Sequence, residues 1–204
     1  MISANSSTWM WYASRATGVV ALLLLTVVAL LGLMVSRQAR LASLPRFAVT
    51  GLHRNMSLLA VVFIVAHVLT AVADGYVSIP LDSAVIPFTS GYERLWLGIG
   101  AVSLDLFLAI VITSLIRRHI GRRTWYAVHL LSYASWPIAF AHSLGSSSDM
   151  QGGWLLLLAL ACAAALAAGI TWRVRAAARD LPRAERVQAL MAELHTRKPR
   201  AGAQ

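Results

Sequence analysis

The sequence predicts an all-α protein, a polytopic membrane helix bundle with five transmembrane helices. Three observations predict it. The 204-residue chain is 58% hydrophobic and 13% charged, with a mean hydropathy of +0.68, whereas soluble domains carry about 25% charged residues. Five apolar stretches are of the length, about 20 residues, that a helix needs to cross a bilayer. Arginine gathers at alternate connections between those stretches, so the net charge of +10 reads as membrane sidedness and not as a nucleic-acid footprint.

The first span is set at Ala16–Ser36, "ATGVVALLLLTVVALLGLMVS". No basic region precedes it and its apolar core is too long for a cleaved signal, so it is expected to stay as a helix. The second, Phe47–Ala73, carries His53, Arg54 and His67. The third, Leu95–Ile116, holds Asp105, the one acid deep in a span. The fourth, Thr124–Leu144, contains His129, Pro137 and His142, and the fifth, Gly153–Trp172, is rich in Ala and Leu. Cys162 is the single cysteine, so no disulfide forms within the chain and thiol chemistry is not expected.

The connections give a direction. Arg37, Arg40 and Arg46 follow span one, Arg117, Arg118, Arg122 and Arg123 follow span three, and seven Arg and one Lys follow from Arg173 onward. The opposite side has only Arg15 and Arg94, beside Asp74, Asp82, Glu93 and Asp149. By the positive-inside rule the N-terminus lies outside and the C-terminus in the cytoplasm. The expected organisation is an extracytoplasmic segment 1–15, a transmembrane domain 16–172 and a basic cytoplasmic tail 173–204.

Four histidines lie within spans. Span two holds His53 and His67, span four holds His129 and His142, and the first interval is the longer by a single position. Both spans run from inside to outside, so each helix offers imidazoles at two heights about 20 Å apart. If the helices are neighbours, His53 meets His129 near the cytoplasmic side and His67 meets His142 near the outer side. Each pair supplies the two axial ligands that a haem iron takes. The helical phase fits less well in span four, where the interval leaves an offset of roughly 140° at about 100° per residue. Pro137 is the expected cause of a re-aimed His142.

The stretches "LHRNMSLLAVVFIVAH" and "TSLIRRHIGRRTWYAVHLLSYASWPIAFAHSLG", with "WYASRATGVVALLLLT" in span one, resemble the ferric reductase-like transmembrane domain family. That family includes the membrane cores of ferric reductases, NADPH oxidases and the haem subunit of bacterial methionine sulfoxide reductase systems. The resemblance covers about Trp11 to Trp172. It implies two b-type haems held by His53/His129 and His67/His142, passing electrons across a bacterial plasma membrane. "GIGAVS" at 98–103 lacks a third glycine and lies in span three, and the residues after span five are too few for a FAD or NAD(P) domain, so no such site is expected here. The donor is then separate, a cytoplasmic flavin reductase or membrane quinol, and the acceptor is extracytoplasmic: ferric iron, oxygen, or a flavin or molybdenum protein.

Supporting residues carry two readings each. Arg54 pairs with an inner-haem propionate or reaches cytoplasmic phosphates, and Arg15 pairs with an outer-haem propionate or anchors at the interface beside Trp9, Trp11 and Tyr12. Trp125 and Tyr126 read as interfacial, and Tyr133 and Trp136 as core packing or, second to that, as lining of the space between the two haem levels. Asp105 reads as a proton or quinol group, or as a protonated hydrogen-bonding residue. Asp180 and Pro182 are expected to open a separate tail helix against anionic lipid. The connection from Asp74 to Glu93 is long enough to cover the outer site. Two further function classes stand beside the electron relay: a non-catalytic membrane anchor or assembly subunit, and a metal or haem transporter.

Overall fold

The computed structural model describes residues 2–36, 45–74, 77 and 79–196. Arg37, Arg40, Arg197, Lys198 and Arg200 lie outside them. The described residues are helical with no strand, as the hydropathy requires, since a backbone in hydrocarbon must satisfy its own hydrogen bonds. The helices are α1 (Ile2–Ser36), α2 (Arg46–Ala73), α3 (Asp82–Val85), α4 (Arg94–Leu115), α5 (Arg122–Leu130), α6 (Ser132–Gly145) and α7 (Gly153–Thr196), with a 3₁₀ turn at Ser148–Gln151. The chain divides into two compact units, Met1–Leu166 and Ala167–Gln204; the site lies in the first.

Among the described residues four helices are long and apolar enough to cross a membrane: Trp9–Val35, Phe47–Ala73, Arg94–Leu115 and Gly153–Arg179. The stretch expected as span four is instead two shorter helices, α5 and α6, joined at Leu131. There the Leu131 N–H bonds the Val128 carbonyl at 3.0 Å, a tightened turn with ψ −16°. The joint, not Pro137, breaks the regular winding, although the proline bears on it. Its ring crowds the carbonyl one turn earlier, that of Tyr133, and α6 starts just ahead of that residue. A turn closed this tightly also overwinds the chain and recovers part of the phase that a straight helix would lose between His129 and His142.

Within the first unit α1 packs along α2, α4 packs on α6, and α1 also reaches α6. Leu22 and Leu33 of α1, Trp136 of α6 and Ala159, Cys162 and Leu166 of α7 form one buried apolar cluster. Trp136 satisfies its indole within it, donating Nε1–H to the Thr26 hydroxyl at 3.0 Å, and its ring stacks on Phe140. Trp136 is thus core packing, as expected, and Cys162 is free and buried. Between α4 and α6, Ser103 and Ser135 each donate their hydroxyl to the other's carbonyl.

The tail differs from expectation. α7 runs unbroken through Asp180 and Pro182 to Thr196, so no separate helix opens there. The Ala, Leu and Arg that dominate Val174–Leu194 are strong helix formers, and their summed propensity outweighs the about 3 kcal/mol that one interior proline costs.

Candidate functional site

Four of the histidines, His53, His67, His129 and His142, meet in two pairs. The ring centres of His53 and His129 lie 6.3 Å apart with planes at 69°, and those of His67 and His142 lie 6.4 Å apart with planes at 72°. His53 and His67 project from α2, His129 from α5 and His142 from α6. The pairs occur in the same order along both chain segments, so α2 runs parallel to α5–α6. Yet α2 makes no substantial backbone contact with either α5 or α6. The imidazoles therefore reach toward each other across a gap, instead of closing a helix–helix seam.

Three of the rings are fixed from behind. His53 donates Nδ1–H to the Val28 carbonyl at 3.1 Å and His67 to the Ser14 carbonyl at 2.8 Å, both on α1. His142 donates to the Trp96 carbonyl of α4 at 2.8 Å. Because a carbonyl can only accept, Nδ1 carries the proton in each case and Nε2 keeps its lone pair. His129 differs: its Nδ1 is buried without a partner among the described residues, and the ring is held by stacking on Trp125, centres 5.0 Å apart and planes at 24°. Trp125, expected as an interfacial residue, is a neighbour of the site.

The His67/His142 pair borders a cavity of about 340 Å³ whose wall includes Trp11, Arg15, His67, Tyr92, His142 and Asp149. Ile79, Ser83 and Glu93 of the 74–93 connection line the same space. Arg15 bonds the Asp149 carboxylate at 2.8 Å and the Ser147 hydroxyl, and its guanidinium lies 4.0 Å over the Trp11 ring. It thereby ties the start of α1 to the turn after α6. Arg54, beside His53, is exposed, and Asp105 is half-buried on α4.

Spacing shows what the pairs can hold. A metal–imidazole bond is about 2.0 Å and the imidazole centre lies about 1.2 Å behind its nitrogen, so two imidazoles on opposite sides of one metal stand about 6.4 Å apart, centre to centre. Both pairs have that separation. Among the described residues no three His, Cys, Asp or Glu side chains come together, so the histidines suit a metal that brings its other ligands with it.

The model of the ferric reductase like transmembrane component family matches residues 17–140, well over half of the chain. The chain belongs to that family. As a member of the ferric reductase like transmembrane component family it is a transmembrane electron-transfer component, and such membrane domains generally bind haem and work with separate redox partners. The matched segment contains His53, His67 and His129 and stops just short of His142, whose place in the set rests on its ring geometry. Comparison with curated proteins and with solved structures finds no match.

Sequence reasoning missed three glycines. Gly18 and Gly32 of α1 face the rings of His67 and His53, and Gly100 of α4 faces His142. A signal was present: the interval from Gly18 to Gly32 equals the interval from His53 to His67 on the antiparallel neighbour.

Proposed function

We propose that this chain is a diheme cytochrome b of a bacterial plasma membrane, with a b-type haem between His53 and His129 and a second between His67 and His142. The observation that carries the reading is the near-equal separation of the two ring pairs, 6.3 and 6.4 Å, at which each pair could hold one metal between its two imidazoles. When bound, each haem supplies a one-electron site, and bis-histidine ligation favours outer-sphere transfer over ligand chemistry at the iron.

The chain's own residues hold, orient and seal. His53, His67 and His142 present Nε2 because helix carbonyls accept the Nδ1–H hydrogen bond, and Trp125 keeps the His129 ring flat against it. Arg15 and Asp149 fasten the outer mouth, and both Arg15 and Arg54 are offered as cationic partners of haem propionates. Orientation follows from the arginine distribution, with α5–α6 together completing the set of five crossings, the N-terminus outside and the C-terminus in the cytoplasm. The His53/His129 level then faces a separate cytoplasmic flavin reductase or membrane quinol as donor. The His67/His142 level faces an extracytoplasmic acceptor: ferric iron, oxygen, or a flavin or molybdenum protein.

The test is a dithionite-reduced minus oxidised spectrum with pyridine haemochrome quantification on the parent, His67→Ala and His142→Ala. Two b haems per chain in the parent, and one and the same haem lost in each variant, are expected. A parent without haem after expression with ample haem supply would overturn the proposal and leave an anchor, assembly or transport role in its place.

A further inference from the structure

Three of the four histidines are seated in the same way. Their acceptors are the carbonyls of Ser14, Val28 and Trp96, and the residue four positions on from each acceptor is glycine: Gly18, Gly32 and Gly100. In an α-helix residue i+4 donates its own N–H to the carbonyl of residue i, and its Cβ borders the approach to that oxygen's second lone pair. A Cβ on Gly100 would stand 2.6 Å from Nδ1 of His142, and one on Gly18 would stand 2.9 Å from Nδ1 of His67. Neither separation is tolerable unless the ring moves off its acceptor. At Gly32 the nearest atom is Cε1 of His53 at 3.5 Å, an ordinary contact.

We propose that Gly18 and Gly100 are positioning residues of the outer pair. Each leaves a helix carbonyl open to a second donor, so that His67 and His142 both donate Nδ1–H to it and keep Nε2 unprotonated toward the gap between them. The identity of what Nε2 meets rests on the haem reading; the proton placement does not. Hydrogen bonding at Nδ1 makes an imidazole the stronger donor at Nε2 and favours the ferric state, so loss of the bond raises the potential of the iron it holds. Gly32 permits the same arrangement at His53 without being required for it.

The experiment uses the full chain in detergent, as the parent and as Gly18→Ala, Gly100→Ala, Gly32→Ala and Gly51→Ala. Gly51 is the matched control on α2, because nothing lies within 4 Å of a Cβ there. Redox titration by visible spectroscopy is expected to show an upward shift, or a roughly 10- to 100-fold loss of affinity, at a single haem in Gly18→Ala and Gly100→Ala. It is the haem that His67→Ala removes. Gly32→Ala and Gly51→Ala are expected to titrate like the parent. Four parent-like titrations, or equal loss of both haems in the Gly18 and Gly100 variants, would overturn the proposal. A parent that binds no haem would sink the cytochrome reading alone. In that case ¹⁵N spectra of histidine-labelled protein decide the positioning role directly: Nδ1–H tautomers for His67 and His142 in the parent, lost in the two variants, support it, and mixed tautomers in the parent refute it.

Discussion

The rings of His67 and His142 stand with their planes at 72°, and each is pinned by a different helix, His67 by the Ser14 carbonyl of α1 and His142 by the Trp96 carbonyl of α4. Their mutual angle is thus set by backbone and not by free rotation. With a haem bound between them, ligand planes held this close to perpendicular would leave the iron's two highest occupied d orbitals close in energy. The ferric protein is therefore expected to give a low-spin electron paramagnetic resonance signal with one unusually large g value. The His53/His129 pair, at 69°, is expected to do the same. A pair of ordinary rhombic signals would mean that the rings turn parallel when ligated.

Trp125 is the principal hold on the His129 ring. Aromatic stacking contributes about 0.5–1.5 kcal/mol, so on the diheme proposal Trp125→Leu is expected to weaken retention of the haem at His53/His129 by roughly 2- to 10-fold and leave that at His67/His142 in place. Haem content per chain after washing with competing imidazole reads this directly.

The two sites also differ in how many ring nitrogens are satisfied. Both rings of the His67/His142 pair have a carbonyl partner, whereas His129 has none among the described residues. Partners of this kind typically carry roughly 10- to 100-fold in metal affinity, so the inner haem is expected to leave first when apomyoglobin is added as an acceptor. Equal rates of loss at the two levels would contradict this.

In the core, Trp136→Phe keeps most of the apolar contact but leaves the buried Thr26 hydroxyl without its donor. The expected cost is about 1–3 kcal/mol, seen as a lower thermal midpoint in detergent with the haem spectrum unchanged below it.

Asp149→Asn separates the ionic part of the Arg15 contact from the packing of the outer turn. The two side chains retain 28% and 44% of their exposure, so screening keeps the pair's worth to about 1 kcal/mol or less. Midpoints measured at low and high salt are expected to converge in the variant and differ slightly in the parent.

Much of this architecture was legible in the sequence, because hydropathy and charge act locally along the chain. The apolar stretches, the buried role of Trp136 and the matched heights of four histidines all follow from composition and the regular rise of a helix, about 1.5 Å per residue. The Leu131 joint was hidden because a proline marks only its own position in the sequence, while the helix breaks about a turn and a half ahead of it. Gly18 and Gly100 were hidden for another reason: a glycine's purpose here is the ring of a residue on another helix, and no local pattern names that residue. The Arg15–Asp149 contact, spanning 134 positions, is of the same kind.

One interval is written twice in the chain, once between the acceptors Ser14 and Val28 of α1 and once between His53 and His67 of α2. Since the two helices run antiparallel, neither can change length alone. A single residue added between Ser14 and Val28 would turn one acceptor about 100° away and shift it about 1.5 Å along the axis, unseating one histidine while the other stays bonded. An insertion in this chain is therefore tolerable only when α1 and α2 gain it together, so the distance between the two levels is inherited as a joint property of two helices.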